Sequence, residues 1–366
     1  MSKLNRVCKQ LTRQGVDSFL IINPLNILYL TGYTPVTVKS ADLAGLIHGT
    51  GAALLVLKTT AKLFVANLNH GQALKEANQC EVISNGDEPI VQAARHALSR
   101  RVRVLGYETA VTLASYGKLR RLCSGIRLKG IDDLIEDMRM RKHDEVRLIR
   151  KSAKITSQVF NDIVPSIKPG IRELDLAIDL EYRLRMKGAD RSAFSPIVAS
   201  GPNSALPHAA AGRRKIRKGD FLVIDIGAYY KGYASDMTRT VVIGRPSQRQ
   251  LEVYGAVKEA QQFAIGAARA GIACKRVDKV ARDVINKRGF KEGFIHSLGH
   301  GVGLAVHELP YLSSKSRRKL ESGMVVTIEP GVYIPGWGGV RIEDTALVED
   351  NGISVLTSAK RELIEV

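Results

Sequence analysis

The 366-residue sequence predicts an α/β (α+β) protein of two domains, a mixed α/β domain over 1–135 and a larger α+β domain over 136–366. Three observations carry this. Short apolar, strand-like runs alternate with amphipathic helical stretches through the first third of the chain. A charged segment of helical period, IDDLIEDMRMRKHDEVRLIRKSAKITSQVFNDIV (131–164), then divides that alternation from the rest of the chain. Beyond it lie two strand–turn–strand segments, 221–244 and 325–348, with helical stretches between them. A hydrophobic content of 45% is ample for two cores in a chain of this length.

Taken in order, residues 3–14 suit an amphipathic helix stopped by Gly15. Strands are expected at 18–22, 52–57, 62–65, 80–84 and 102–106, with helices near 70–78, 89–100 and 112–123. The 131–164 segment reads as the domain connection plus the first helix of the second domain, carrying a Glu145/Ile149 face and ending before Pro165. A helix over 172–187, a loop with His208, the first hairpin, and helices near 249–270 and 275–288 come next. The histidine-rich HSLGHGVGLAVHE and the second hairpin complete the order. There is no low-complexity tract and no sequence repeat, but two similar hairpins hint at an internal pseudo-symmetry.

The hairpins carry the chemistry. In FLVIDIGAYYKGYASDMTRTVVIG, Asp225 and Asp236 flank a Tyr230/Lys231 turn; in VVTIEPGVYIPGWGGVRIEDTALV, Glu329 and Glu343 are symmetric about Gly336. Residues equidistant from a turn become cross-strand neighbours about 5 Å apart. Each hairpin therefore brings two carboxylates together within apolar strands, an arrangement that is costly unless cations neutralise it. His300 supplies an imidazole between them. Four carboxylates and a histidine suit a pair of divalent ions able to activate water, the pattern of a metallohydrolase. Any one of these residues alone would be an unremarkable strand or loop residue; the paired pattern points to a site.

These residues resemble the pita-bread metallopeptidases, the family of methionine aminopeptidase, aminopeptidase P, prolidase and creatinase. The family's ligands are two Asp, one His and two Glu in chain order, matched here by Asp225, Asp236, His300, Glu329 and Glu343. The resemblance runs over essentially the whole chain. SGPNSALPHA (200–209) is similar to the segment bearing a substrate-facing histidine, and NILYLTGY (26–33) resembles the creatinase-like N-terminal domain of the larger members. It implies a creatinase/prolidase-like domain followed by a pita-bread catalytic domain. His296 and Arg341, together with the N-terminal domain, resemble the proline-specific branch rather than methionine aminopeptidase. Creatinase shares the two-domain layout but lacks the metal ligands retained here.

The resemblance implies hydrolysis of the bond between an N-terminal residue and proline, as an Xaa-Pro aminopeptidase or dipeptidase. Two divalent ions per chain are expected, manganese first on oxygen-rich ligation, with cobalt or zinc as alternatives. Glu329 is expected as ligand and general base, His307 as donor to the oxyanion, and His208 as a substrate contact and proton relay. His296 is expected to line the proline pocket, Arg341 to pair with Asp236 or the substrate, and Thr238 to support a ligand. Two other readings stand beside this one: a non-catalytic histone- or RNA-binding relative, separated by metal content, and a methionine aminopeptidase-type hydrolase, separated by Met-Ala against Xaa-Pro substrates.

Composition adds exclusions. No run of eighteen apolar residues indicates a membrane span, and the polar start lacks the apolar core of a secretory signal. Cys8, Cys80, Cys123 and Cys274 are far apart, as in a reduced cytoplasmic protein. The net charge of +19 includes clusters at 213–220 and 314–320, but no aromatics interleave them, so nucleic acid is not the expected partner. Short proline-containing peptides are, with a homodimer as the expected assembly.

Overall fold

A computed structural model describes residues 2–35, 51–142 and 145–366; residues 143–144, within the predicted 131–164 segment, lie outside the described residues. The chain separates into two compact units, Met1–Met138 and Arg139–Val366.

The first unit opens with α1 (Lys3–Gln14), whose Leu4, Val7 and Leu11 form one buried face. Ser2 caps its start, accepting from the Asn5 amide, and Gly15 ends it in the left-handed region at φ 64°. Then come β1 (Ser18–Ile21), α2 (Pro24–Thr31), β2 (Ala52–Leu57), β3 (Ala61–Val65), α3 (Asn67–Glu76), β4 (Glu81–Ile83), α4 (Pro89–Ser99), β5 (Val104–Glu108), α5 (Leu113–Leu122) and β6 (Arg127–Ile131). The strands make one mixed sheet in the order β4-β3-β2-β1-β5-β6. One helix has no counterpart in the sequence expectation, and one expected helical segment starts late. NILYLTGY is mostly the helix α2, capped by the Asn23 side chain and ended by Gly32. Ile131 closes a strand, so the long helical segment begins three residues later, with α6 (Leu134–Met140).

The second unit contains α7 (Val146–Ile163), α8 (Glu173–Met186), β7 (Arg191–Ser192), β8 (Ile197–Ser200), β9 (Phe221–Ile226), β10 (Ala228–Tyr230), β11 (Tyr233–Ala234), β12 (Met237–Val242), α9 (Gln248–Ala267) and α10 (Cys274–Lys287). It ends with β13 (Gly299–Gly301), β14 (Glu308–Leu312), β15 (Val325–Ile328), β16 (Gly331–Ile334), β17 (Gly338–Arg341), β18 (Asp344–Glu349), β19 (Gly352–Val355) and β20 (Ile364–Glu365). One sheet runs β20-β12-β9-β8, another β14-β13-β15-β18-β19. Ile155, Val159 and Phe160 of α7 and Leu176, Leu180 and Leu184 of α8 pack with Leu222, Ile224 and Ile226 of β9. Val253 and Val257 of α9 and Val277 and Ala281 of α10 pack with Val326 and Ile328 of β15. Each half thus covers one carboxylate hairpin with two helices, which is the pita-bread arrangement. Because strand side chains alternate, β9 gives Leu222, Ile224 and Ile226 to the helices and turns Asp225 to the opposite face. Among the described residues no helix is long and apolar enough to cross a membrane.

Candidate metal centre and active-site cleft

The second hairpin has the register expected from its symmetry. β15 and β18 pair up to Ile328↔Asp344, and β16 and β17 resume at Gly331↔Arg341, so Glu329 and Glu343 stand opposite each other in the gap between. The first hairpin is shifted. Its turn is Lys231–Gly232, with φ 49° and 82°, the pair of left-handed residues that a two-residue hairpin loop needs. Tyr230 therefore pairs with Tyr233, and Asp225 stands opposite Thr238 instead of Asp236. A two-residue shift keeps side-chain parity, so Asp236 still shares the face of Asp225 as a diagonal neighbour. The Lys-Gly dipeptide in the sequence is the signal that would have placed the turn correctly.

His300 lies on the short β13, between β14 and β15. A Cβ at Gly299 would stand 2.1 Å from the Thr327 carbonyl oxygen, and one at Gly301 2.2 Å from that of Leu309. Only glycine on both sides lets this strand insert and present the imidazole. His300 Nε2 lies 3.2 Å from Glu329 Oε1 and 3.7 Å from Asp236 Oδ2. Asp236, His300 and Glu343 each offer one ligand atom, all within 4.8 Å of one another. Asp225 Oδ1 and Asp236 Oδ1 are buried without any hydrogen-bond donor.

The electrostatics describe a site built for cations. Burial pushes Asp225 above the ordinary carboxylate range, against the opposing pull of Arg341. Asp236 is raised further by burial and by the facing charges of Glu343, Asp225 and Glu329. Glu343 is raised likewise by burial, Glu329 and Asp225. Glu329 also feels burial, but the hydrogen bond and charge of His300 outweigh it and hold it down to about 2. Carboxylates crowded with orphaned oxygens, beside one imidazole, fit divalent metal ions as their missing partners.

Supporting contacts surround the five. Thr238 donates to Glu343 Oε2 at 2.6 Å and accepts from Arg341 Nε at 3.0 Å. The Thr327 hydroxyl donates to Glu329 Oε1 at 3.0 Å and accepts from the His300 amide at 3.0 Å. Arg341 is fully enclosed, and its pairing corrects the expected one. Its Nη2 binds Asp225 Oδ2 at 2.6 Å, not Asp236. The register shift explains this: Arg341 is tied to Thr240 through its amide and carbonyl, on the strand whose Thr238 now faces Asp225. Two further donors go to the Pro207 carbonyl and the Tyr333 hydroxyl, so four of its five N–H groups are bonded within the protein.

Tyr333 is the residue that sequence reasoning missed. Its buried hydroxyl accepts from Arg341 Nη1 at 2.7 Å and donates to His296 Nε2 at 3.0 Å, while His296 Nδ1 donates to the Ser297 carbonyl at 2.8 Å. Both nitrogens of His296 are therefore used internally, and only its ring surface is offered to the cleft. A Cβ at Gly331 would come within 2.6 Å of this hydroxyl, so the glycine makes room for the tyrosine. Behind the carboxylate cluster, the buried Arg239 pairs with Asp344 at 2.7 Å, on the residues next to Thr238 and Glu343. Glu308, next to His307, is buried against Arg139 at 2.6 Å and against Lys142.

The five carboxylate and imidazole residues, His208, His296, His307 and Arg341 all line one cleft of about 780 Å³, with Phe194, Pro196 and Ile178 among its apolar walls. His208 and His307 are exposed. Although solvent reaches His307, partial desolvation and the His300 ring, 4.1 Å away between centroids, lower it to about 4, so that it is neutral at physiological pH.

Residues 147–350 match metallopeptidase family M24, and residues 3–141 match the creatinase/prolidase N-terminal domain. An Xaa-Pro dipeptidase of Pyrococcus horikoshii is 38% identical over 364 residues, covering 99% of this chain and 98% of its own. An Xaa-Pro dipeptidase from Bacillus anthracis superposes with a TM-score of 0.92 at 36% identity, over 100% of this chain and 99% of that one. An X-Pro aminopeptidase from Thermotoga maritima gives a TM-score of 0.89 at 33% identity, over 100% of both chains.

Proposed function

The chain belongs to metallopeptidase family M24, and from that premise we propose that it hydrolyses the peptide bond between an N-terminal residue and proline, with Xaa-Pro dipeptides as its substrates. The observation that carries the reading is the cluster of Asp225, Asp236, His300, Glu329 and Glu343, with two orphaned carboxylate oxygens, in a cleft that also holds three further histidines. The names of the relatives support the choice of proline and of dipeptides.

In this reading the five residues hold two divalent ions, manganese first because four of the five donors are hard carboxylates. Bound there, the ions supply Lewis acidity and a water acidified toward neutral pH. Glu329, ionised throughout the neutral range, takes the proton of the attacking water. Neutral His307 donates its ring N–H to the oxygen of the scissile carbonyl as negative charge develops there. His208, also in the cleft lining, contacts substrate and passes a proton to the leaving imino nitrogen. His296 packs its ring against the proline, since its nitrogens are already bonded. Arg341 and Thr238 keep Asp225 and Glu343 oriented.

A homodimer accords with the exposed Tyr182 and Met186 on α8, and four free cysteines accord with a cytoplasmic setting. The functional test is release of the first residue from Ala-Pro, Ala-Pro-Ala, Ala-Ala and Met-Ala-Ala with manganese present. Turnover of Ala-Pro with Ala-Ala untouched is expected. Preference for Met-Ala-Ala would refute the proline assignment, and turnover of Ala-Pro-Ala alone would refute the dipeptide assignment.

A further inference from the structure

The N-terminal unit has a second cleft, of about 810 Å³, at the end of its sheet where β2 turns into β3 and where β1, β4 and β5 begin. Its lining contains Lys58, Lys62, Arg100, Arg101 and Arg103 against two carboxylates, Asp17 and Glu81. Both carboxylates are already committed. Asp17 accepts from the amides of Arg103 and Val104 at 3.0 Å each and lies 3.5 Å from Lys58 Nζ. Glu81 holds Lys62 at 2.6 Å. Among the described residues no carboxylate pairs with Arg100, Arg101 or Arg103, and all three are exposed. Arg101 keeps a left-handed backbone, φ 53°, in the tight loop between α4 and β5, a conformation that a long side chain adopts at a cost. The loop thereby sets three arginines within four residues at the rim.

Such a concentration of unpaired cations needs an anion of matching charge density. Among the described residues no aromatic side chain lines the cleft to stack on a base or a sugar. The hydroxyls of Thr59 and Thr60 and the amide of Gln79 add neutral donors. The volume is that of a small-ligand site. We propose that this cleft binds an oligophosphate, meaning linear triphosphate or the phosphate chain of a larger molecule, recognised through its phosphate groups. The site lies in a different unit from the metal cluster and is independent of the peptidase reading. His96 reports the same field, being lowered by burial and by Lys62 and Arg100.

The test is calorimetric titration of the full, metal-loaded chain with sodium tripolyphosphate, with sodium sulfate at equal ionic strength, and with a single-stranded DNA oligonucleotide. The double variant Arg101→Glu/Arg103→Glu is compared with Lys275→Glu/Arg276→Glu, which makes the same change in net charge on the exposed start of α10. Heat from chelation of the active-site metal is common to all forms and cancels in the comparison. Saturable binding of tripolyphosphate but not sulfate is expected, weakened at least about tenfold in the Arg101/Arg103 variant and kept in the control. Peptidase turnover should be unchanged in both variants. Absence of tripolyphosphate binding, equal weakening in both variants, or DNA binding without tripolyphosphate binding would each overturn the proposal.

Discussion

Replacing Tyr333 with phenylalanine removes one oxygen and leaves the ring, so no cavity opens and the effect isolates two hydrogen bonds. One, 3.0 Å to His296 Nε2, joins neutral partners and contributes about 1 kcal/mol. The other, accepted from Arg341 Nη1 at 2.7 Å, involves a charged donor and would normally contribute about 1.5–3 kcal/mol. That nitrogen keeps its bond to the Pro207 carbonyl at 3.2 Å, however, so the cation is not orphaned and about half of that value is retained. The sum is a loss of about 2 kcal/mol, which for a unit of this size lowers Tm by about 4–8 °C. Because Tyr333 touches no proposed ligand directly, metal content should stay at the wild-type value. Turnover should fall about tenfold as Arg341 loosens its hold on Asp225. Differential scanning calorimetry, elemental analysis and Ala-Pro hydrolysis read the three quantities. A Tm within about 1 °C of wild type, together with unchanged turnover, would show that the His296–Tyr333–Arg341 chain does not brace the site.

Three further outcomes are expected. Asp236→Ala or Glu343→Ala should abolish both metal occupancy and turnover, read by elemental analysis and assay; full activity in metal-free protein would sink the metallopeptidase reading. His307→Ala should lower kcat about a hundredfold with metal content unchanged, whereas loss of metal would make it a ligand. Glu308 is buried, but Lys142 and Arg139 hold its carboxyl below the usual glutamate value, so its stabilising contribution exists above the ordinary glutamate range and fades as pH falls through the depressed value. Glu308→Gln, which removes the buried carboxylate that Arg139 and Lys142 share, should cost about 3–5 kcal/mol near neutrality. Urea melts should show the gap from wild type narrowing below about pH 4.5, and a gap independent of pH would contradict the ion-pair assignment.

The carboxylate pairs of the cluster are legible in the sequence because they rest on chain symmetry. Glu329 and Glu343 can be paired from the sequence since Gly336 marks the turn and both arms keep strict alternation. Symmetry puts Asp225 and Asp236 on the right face but in the wrong register, because the left-handed Lys231–Gly232 pair, and not Tyr230–Lys231, forms the loop. The mistaken partner of Arg341 has the same origin, since cross-strand neighbours are set by register alone. Tyr333 is invisible for a different reason. A tyrosine in a strand normally signals a packed ring, and only the three-dimensional approach of Arg341 and His296 gives its hydroxyl a task. The helix over Pro24–Thr31 is hidden by a short apolar run that suits strand or helix equally, and Asn23 as cap and Gly32 as stop decide it.

The orphaned oxygens of Asp225 and Asp236 carry a consequence for the life of the protein in a cell. A group of buried carboxylates that repel one another weakens the fold around it until cations arrive, so each ion that binds only the native chain also deepens the native state. At a free concentration one hundredfold above its dissociation constant, one ion adds about 2.7 kcal/mol. That is a large share of the margin by which a domain stays folded. A shortage of metal would then let the catalytic unit open more often and expose it to proteolysis. Metal supply would then set how many copies persist as well as how fast each one turns over.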